Sequence, residues 1–436
     1  MTILATPAAW PSILLPKAGA RSAAAGEPFA GLRRAIRDLG PGGTIALIRD
    51  AGLRGRGGSG YPTAEKWHAA ASTESPTRYV VANGYGADPA ASTDRVLMET
   101  APAAVVEGLA IAAWAIRAEE AILAVRADAT EAIAALGAAV GAARDAGLVG
   151  DDVAGTGRRL EVEIRPVQGA YLLGEETILL KFLDGKRGQP EQKPPFPATE
   201  GLRGMPTVVQ NVQTLAAVAW IVRNGAAAFR ATGTADAPGT ILVGVRGPGG
   251  AGVAEVPLGT PLRDIVALAA GAKGSKGARV KAILVGGPSG GILPAEALDT
   301  PYTFEALRAA GAHVGSGSVI VADERACVVD LARILTGFCS AEACGKTIPC
   351  RIGTRRLAEI GERLADGTSR AGDLDVLVDL SADIAASALC DHERLATLPL
   401  LSGMRYFRAE LDAHLERAEC PAGVCHPAVA AASATH

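Results

Sequence analysis

The stretch RYVVANGYG, residues 78–86, is an apolar, β-prone run that ends in asparagine and glycine. This pattern predicts a buried strand that leads into a loop. Ala-rich segments with helical spacing follow at 97–116 and 127–147, and AILAVRA at 121–127 indicates a strand between them. LEVEIRPV at 160–167 predicts a further strand. The alternation of strands and helices predicts an α/β fold with a mostly parallel sheet covered by helices.

Upstream of that first strand lies a glycine-dense loop, GLRGRGGSGYPTAEKW, at residues 52–67. Glycine lets the backbone turn sharply and bring its N–H groups against a ligand, and the interleaved arginines and Lys66 suit a phosphate. A helix predicted to start at Pro62–Thr63 would add its N-terminal dipole. The spacing matches neither the Walker A loop nor the Rossmann glycine motif. A flexible basic loop without a ligand is the alternative.

The segment Gly174-Glu175-Glu176-Thr177 precedes an apolar helix. Acidic residues in a first helical turn are ordinary helix-start chemistry, and the segment alone predicts nothing more. The loop that follows is too rich in proline and charge for regular structure, and it presents Phe196 between prolines as a possible stacking face.

Two further patterns fill the rest of the chain. Strand-like runs at 240–247 and 278–291 flank a helical segment at 261–271, which predicts a small α+β domain. From Cys327 onward the spacing is helical and predicts a bundle.

Composition excludes several classes of protein. With 436 residues, 49% hydrophobic content and a net charge of -3, most of the chain is not disordered, and the charge gives no support for a nucleic-acid partner. The best apolar run, Ala101–Ile116, carries Glu107 and is too short for a transmembrane span. The N-terminus lacks the pattern of a secretion signal, so a cytoplasmic location is expected.

All seven cysteines lie in the last quarter of the chain, which favours metal or redox use over a disulfide framework. Cys344 and Cys350 stand just before a helix predicted near Gly353, where thiolates are stabilised. Cys390 follows after two predicted helices that could fold back. Three cysteines do not complete a four-cysteine site, and scattered buried thiols are the alternative.

Several long stretches are similar to the NADH-oxidising flavoprotein subunit of respiratory complex I, a family shared with NAD-linked hydrogenases and formate dehydrogenases. The similarity covers residues 44–415 in the family order. The stretches that carry it are GLRGRGGSGYPTAEKW (52–67), the frame of Asn83, Pro89 and Asp94-Arg95, GAYLLGEETILLKFLDGKRGQPEQKPPFPATEGLRGMPTVVQNVQTLAAV (169–218), VGSGSVIVADE (314–324) and ACGKTIPCRIGT (343–354).

The resemblance implies an order of domains. Residues 1–43 are rich in alanine, proline and glycine and show little periodicity, so a loosely packed lead-in with a short helix near Phe29–Leu39 is expected there. For the residues that follow, the resemblance implies an FMN- and NADH-binding α/β domain at 44–234 and a ubiquitin-like, soluble-ligand-binding β-grasp domain at 235–320. A helical domain at 321–415 would carry a [4Fe–4S] cluster, and 416–436 would form a tail.

The resemblance also implies roles for individual residues. The glycine-rich loop would hold the FMN phosphate, the paired glutamates would line the nucleotide cavity, and the KPPFP segment would form its dinucleotide-facing wall. The chemistry implied is hydride transfer from NADH to FMN and then passage of single electrons to the cluster, with no protein general base. The residues implied for cofactor binding are Gly55, Arg56, Gly57, Gly58, Lys66, Asn83, Tyr85, Asp88, Gly174, Glu175, Glu176, Lys193, Phe196, Asn211 and Thr214, and those implied for the cluster are Cys344, Cys350 and Cys390.

The chain departs from the family pattern near the flavin. Where the family has acidic residues after the asparagine of the first strand, this chain has Tyr85 and Gly86, and only Asp88 keeps a carboxylate. Another family acid is replaced by Gln213. Loss of negative charge beside the flavin ring predicts a higher flavin potential or weaker hydrogen bonding to it.

The departure at the cluster is the replacement of the middle cysteine of the family motif by Thr347. Three interpretations stay open. The cluster keeps three thiolates and a non-cysteine ligand or water; it recruits another thiol, such as Cys339; or it is lost. Cys420 and Cys425 resemble the join to a ferredoxin domain in other family members, and they are either vestigial, ligands on a partner surface or an exposed thiol pair.

The sequence therefore predicts an NAD(P)H-oxidising flavoprotein subunit. Its electrons would pass to a ferredoxin-like or thioredoxin-like iron–sulfur subunit, or to a membrane redox protein. The alternative is a degenerate homologue that serves as an electron relay or assembly scaffold without oxidising NADH. A weaker alternative is ligand binding by residues 235–320 alone.

Overall fold

The first sheet consists of four parallel strands. The computed structural model describes residues 2–16, 27–270 and 279–425. The strands run in the order β3-β2-β1-β4, and Tyr79 pairs with both Glu120 and Thr207. Their bounds are β1 Tyr79–Gly84, β2 Glu120–Arg126, β3 Glu161–Val167 and β4 Thr207–Asn211. Buried β-branched and apolar side chains along β1 and β2 explain why these segments form inner strands, and the predicted α/β fold with a parallel sheet is confirmed.

Helices surround this sheet. Their bounds are α1 Ala30–Arg34, α2 Gly40–Asp50, α3 Thr63–Ser72, α4 Thr93–Thr100, α5 Pro102–Ile116, α6 Thr130–Asp145, α7 Glu176–Leu183, α8 Val212–Asn224 and α9 Ala226–Arg230, with a π-helical turn at Ala35–Leu39. Helix α5 is buried along most of its length because its side chains are small and apolar. Its one acidic residue, Glu107, is fully buried and paired with Arg223 and the amide of Leu32.

The start of the chain is better packed than the sequence predicts. Ile13, Leu14 and Leu15 are buried, and their amides donate to the carboxylate of Glu255 at 2.7–2.9 Å. The expectation of a loosely packed lead-in is therefore wrong for these residues, because a buried carboxylate that none of the sequence patterns indicated orders their backbone.

The second sheet has the strand order β6-β5-β9-β7-β8. Strand β7 is antiparallel to both β8 and β9. The bounds are β5 Thr240–Gly247, β6 Gly250–Pro257, β7 Val280–Val285, β8 Gly291–Pro294 and β9 Ser318–Asp323, with helices α10 Leu262–Ala270 and α11 Phe304–Ala309.

The last part of the described chain is helical, as its spacing predicts. The bounds are α12 Val328–Ala341, α13 Thr354–Asp366, α14 Asp373–Ser387, α15 Asp391–Leu395, α16 Leu398–Tyr406 and α17 Arg408–Arg417, with a π-helical turn at Pro349–Gly353. A core that includes Leu357, Leu377 and Leu400 holds these helices together. Of the predicted tail at 416–436, residues 416–425 are described and the rest lies outside the described residues.

The backbone divides into two compact units. The first comprises Met1–Gly188, Gln192–Gly244 and Gly252–Thr260, and the second comprises Gln189–Glu191, Val245–Ala251 and Pro261–His436. Among the described residues no single helix is long and apolar enough to cross a membrane. Helices α4 and α5, which meet at a bend of 96°, reach the necessary length and apolar composition only when they are taken together.

Candidate functional site

The carboxyl edge of the parallel sheet gathers the first group of predicted residues. Parallel strands present their carboxyl ends at one edge, where ligands of α/β folds bind. Asn83, near the end of β1, donates through Nδ2 to the carbonyl oxygen of Gly174 at 2.9 Å. Asn211, the last residue of β4, donates through Nδ2 to Asp94 at 2.7 Å. The edge thus joins Asn83 to the segment that precedes α7 and Asn211 to helix α4.

The glycine-rich loop lies against the same edge. Two backbone hydrogen bonds close the loop, from the Gly55 amide to Tyr61 at 2.8 Å and from the Thr63 amide to Leu53 at 2.9 Å. Helix α3 begins at Thr63, as predicted. A Cβ at Gly57 would lie 3.3 Å from the Cβ of Asn211, so glycine permits this close approach to β4.

The guanidinium of Arg56 is held by carbonyl oxygens of the protein. Its side chain is buried, and the guanidinium donates to the carbonyl oxygens of Pro238 at 2.6 Å, Arg54 at 2.7 Å and Thr240 at 2.9 Å. Burial, assisted by the charge of Arg54, lowers the pKa of Arg56 to about 9. The Arg56 amide donates to the hydroxyl of Thr214 at 2.9 Å. Through these hydrogen bonds Arg56 stabilises the glycine-rich loop. The sequence, by contrast, suggested that its positive charge would bind a phosphate.

A charged quartet surrounds the start of α7. Lys66 lies 2.8 Å from Glu176, and Lys193 lies 2.8 Å from Glu176 and 3.1 Å from Glu175. Burial opposes the ionisation of Glu176, but the ammonium groups of Lys66 and Lys193 outweigh it and lower its pKa to about 2. Burial likewise opposes the charge of Lys193, yet Glu176 and Glu175 raise the pKa of Lys193. Glu176 and Lys193 are therefore both charged at neutral pH.

Glu175 also has a structural role. Its Oε2 accepts from the amides of Thr177 at 2.7 Å and Ile178 at 2.9 Å, which caps α7. The helix-start interpretation of this segment is thus confirmed for Glu175, while Glu176 is the residue that joins both lysines.

The remaining predicted residues hold the loops around the edge. The hydroxyl of Tyr85 donates to the carbonyl oxygen of Gly169, and the Arg126 guanidinium lies 5.8 Å from the centre of the Tyr85 ring. Asp88 is buried and accepts from the Ala90 amide at 2.8 Å. Phe196 is 56% exposed, which leaves its ring available for stacking.

Sequence reasoning did not nominate the network that fixes Asn211. Asp94 accepts from Asn211 through one oxygen and from Gln213 through the other, at 2.7 and 2.8 Å. Burial raises the pKa of Asp94, whereas these two hydrogen bonds lower it. The sequence feature that could have indicated this network is Gln213, which replaces an acidic residue of the family. Its neutral amide donates to Asp94, whereas a carboxylate there would repel it.

The second unit gathers the predicted cluster cysteines. Burial and, to a smaller extent, the charges of the neighbouring Glu393, Cys390 and Cys344 raise the pKa of Cys350 to about 12. Thr347 donates through its hydroxyl to Glu393 at 2.7 Å and accepts from the Cys350 amide at 3.3 Å. Thr347 and Glu393, which we call the oxygen pair, therefore replace the thiolate that the family has at position 347.

The remaining cysteines make other contacts, although the charge of Cys350 also acts on Cys339. Cys339 is buried with its thiol 3.6 Å from the carbonyl oxygen of Pro288. Cys327, Cys420 and Cys425 gather around His414, with all four potential ligand atoms within 4.8 Å of one another. Sequence reasoning named Cys420 and Cys425 but missed Cys327 and His414 as their neighbours.

Comparison with known proteins identifies two family regions. Residues 48–220 match the Nuo51 FMN-binding domain, and residues 330–414 match the NADH-ubiquinone oxidoreductase-F iron–sulfur binding region.

Individual relatives agree with these regions. The chain is 40% identical to the NADP-reducing hydrogenase subunit HndC of Solidesulfovibrio fructosivorans, over 88% of this chain and 78% of the relative. It is 38% identical to an NADH-quinone oxidoreductase subunit of Rhizobium meliloti, over 91% of this chain and 94% of the relative.

Among solved structures, the chain is similar to a chain of an NAD+-reducing [NiFe]-hydrogenase, with a TM-score of 0.81 and 36% identity. The match covers 90% of this chain and 66% of that chain, slightly less than two thirds of its length. The comparisons do not favour the alternative of a scaffold without NADH oxidation, and they confirm the predicted FMN and iron–sulfur cofactors. The chain belongs to the family of NADH-oxidising FMN and iron–sulfur flavoprotein subunits of complex I and related oxidoreductases.

Proposed function

We propose that this NADH-oxidising subunit holds FMN at the carboxyl edge of the parallel sheet. The observation that carries the proposal is the approach of the glycine loop to Asn211, where a Cβ on Gly57 would occupy the space. Gly55, Gly57, Gly58 and Lys66 would hold the phosphate, because glycine amides and one ammonium suit an anion. Asn83 and Asn211 would bind the flavin ring.

The charged quartet would prepare the nucleotide site. Lys66 and Lys193 bring two positive charges beside the sheet edge, and Glu176 neutralises part of that charge. Because Glu176 contacts both lysines, it would position their ammonium groups. Lys193 and the exposed ring of Phe196 would form the wall that faces NADH. FMN held there would supply the redox chemistry of hydride and single-electron transfer.

The same reasoning extends to Gly174, Tyr85, Asp88 and Thr214. Gly174 would leave room beside the flavin, since a Cβ there would lie 3.2 Å from the Cβ of Ala87. Tyr85 and Asp88 would shape the loop after β1, and Thr214 would fix the glycine loop through the Arg56 amide.

For the iron–sulfur region, we infer that Cys344, Cys350 and Cys390 bind the cluster and that the Thr347–Glu393 pair occupies the fourth position. Glu393 is 1% exposed, and its second oxygen accepts from the Leu389 amide at 2.9 Å. This arrangement favours an oxygen ligand over recruitment of Cys339, whose thiol contacts a carbonyl oxygen instead.

We also propose the finer domain order. Residues 44–234 would bind FMN and NADH, 235–320 would form the β-grasp domain, and 321–415 would form the cluster-binding bundle. The support is the five-stranded sheet with α10 in the middle segment and the run of helices from α12 to α17.

The electron acceptor would be a ferredoxin-like or thioredoxin-like iron–sulfur subunit, or a membrane redox protein, in the cytoplasm. This proposal draws on relatives that are named as subunits of a hydrogenase and of an NADH-quinone oxidoreductase. That the chain binds no nucleic acid stays a prediction from the net charge of -3.

Titration of the FMN-free chain with FMN, followed by flavin fluorescence, tests the flavin site. Gly57→Ala is expected to weaken FMN binding at least about tenfold. The new Cβ would crowd Asn211 and keep the phosphate away from the loop amides, which together cost about 1–3 kcal/mol. Gly137→Ala is the matched control, because a Cβ at Gly137 meets nothing within 4 Å. Equal affinities for the two variants would contradict the proposed phosphate loop.

A further inference from the structure

A second group of metal-ligating side chains lies in the helical part of the chain, and the flavin and cluster assignments do not use it. Cys327 caps the N-terminus of α12, His414 lies in α17, and Cys420 and Cys425 follow that helix. Cys327 and His414 are buried, and the two later cysteines are partly buried. The group therefore combines two buried ligands with two that are partly accessible to solvent.

The ligand atoms already converge. The Sγ of Cys327 lies 3.5 Å from Nε2 of His414 and 3.4 Å from the Sγ of Cys425. The Sγ of Cys420 accepts from the Val424 amide at 3.3 Å. Tetrahedral coordination by sulfur at about 2.3 Å places neighbouring ligands about 3.8 Å apart, which agrees with these separations.

The histidine is oriented as metal ligands are. Nδ1 of His414 lies 2.8 Å from the carbonyl oxygen of Glu410, so this nitrogen carries the proton and donates it. Nε2, which faces Cys327, then presents its lone pair. A backbone carbonyl that fixes the tautomer in this way is a frequent partner of a metal-bound imidazole.

The compactness of the group points to one ion. A cluster with two or four irons distributes its ligands over several metal atoms, which separates the ligands more widely than a single ion does. Here all four ligand atoms lie within 4.8 Å of one another. Three thiolates and one imidazole with no open position are typical of structural zinc.

We propose that Cys327, His414, Cys420 and Cys425 bind one zinc ion in a closed tetrahedral site. The ion joins the start of α12 to the end of α17 and to the loop that carries Cys420 and Cys425. Its role is to hold this loop on the helical core, since Cys420 and Cys425 pack against that core.

Metal analysis of the full-length chain, purified without chelator, tests the site. We expect one zinc per chain in addition to iron. Cys420→Ser and His414→Gln should each lower zinc affinity by more than about 100-fold, because loss of an outer-shell partner alone costs about 10- to 100-fold. Cys339→Ser is the matched control and should keep its zinc, since Cys339 contacts Pro288 instead.

Cobalt(II) substitution of the wild-type chain makes the test independent of variant folding. The expected result is the intense visible absorption of tetrahedral cobalt together with thiolate-to-cobalt charge-transfer bands. Zinc below stoichiometric content, zinc kept by both ligand variants, iron in place of zinc, or the weak spectrum of octahedral cobalt would each overturn the proposal. Because flavin content is measured on the same sample, failure here is distinguishable from failure of the flavin site.

Discussion

At the scale of single residues, neighbouring side chains of the same type have different roles in the site, and the sequence alone did not distinguish those roles. The adjacent glutamates at the start of α7 are alike in the sequence, yet Glu175 caps the helix while Glu176 joins two lysines. For Arg56 the local sequence suggested the wrong contacts for the side chain. A glycine-rich basic loop predicts an arginine that binds an anion, whereas the guanidinium of Arg56 is buried among carbonyl oxygens. Local sequence indicates which residue types are present, but it does not indicate which side of a loop each one faces.

The low pKa of Glu176 predicts a pH dependence of stability. Its folded-state pKa of about 2 lies below the ordinary value of 4.5, so the ionised carboxylate stabilises the fold above that ordinary value. This stabilisation, at most about 3 kcal/mol, is lost as the pH falls toward the folded-state value. We expect Glu176→Gln to lower the free energy of unfolding at neutral pH and to approach the wild type in acid.

Urea unfolding at a series of pH values measures this difference, with Glu200→Gln at an exposed position as the control. A difference between Glu176→Gln and wild type that stays constant through the acid range would argue against the proposed ion pairs.

The oxygen pair at the cluster gives a second prediction at this scale. If Glu393 serves the fourth position, Glu393→Gln should lower the iron content or change the electron paramagnetic resonance spectrum of the reduced chain. In a Thr347→Cys background, where a fourth thiolate is present, the same substitution should have little effect.

Iron analysis of the four chains of this double-mutant cycle supplies the measurement, and Glu359→Gln on the surface of α13 is the matched control. Equal iron loss from Glu393→Gln in both backgrounds would show that Glu393 acts only on the fold.

At the scale of elements, the local hydrophobic pattern predicted the strands of the first sheet well, but it did not predict how the helices pack against one another. The apolar runs at 78–86 and 121–127 became β1 and β2, since buried inner strands need such runs. A close contact between helices α5 and α8 depends instead on one glycine. A Cβ at Gly108 of α5 would lie 1.8 Å from the carbonyl oxygen of Leu215 in α8.

This contact predicts opposite effects of the same substitution in two helices. Gly108→Ala should destabilise the fold by about 1–3 kcal/mol or more, because α5 and α8 must separate. Gly137→Ala in α6 should stabilise it by about 0.5–1 kcal/mol, because alanine favours a helix and its Cβ meets nothing within 4 Å. Thermal unfolding of both variants beside the wild type checks the signs, and a stable Gly108→Ala chain would show that α5 and α8 are not packed this closely.

At the scale of the whole molecule, long motifs predicted the family while contacts distant in sequence stayed hidden. The second sheet places β9, residues 318–323, between strands that come much earlier in the chain, and no local pattern specifies such an order. The group of Cys327 with His414, Cys420 and Cys425 is hidden for the same reason, because helices α12 to α17 separate its members in sequence. The buried Glu255 that orders residues 13–15 is a third case.

Oxidation of NADH at FMN is the activity that the proposed flavin site and the charged quartet would serve. The visible spectrum of the FMN-loaded chain, recorded under anaerobic conditions before and after addition of NADH, tests it without a partner protein. We expect NADH to bleach the flavin band, and we expect Lys193→Ala, which removes the cation of the NADH-facing wall, to require more NADH for the same bleaching. A flavin band that excess NADH leaves unchanged would contradict this activity.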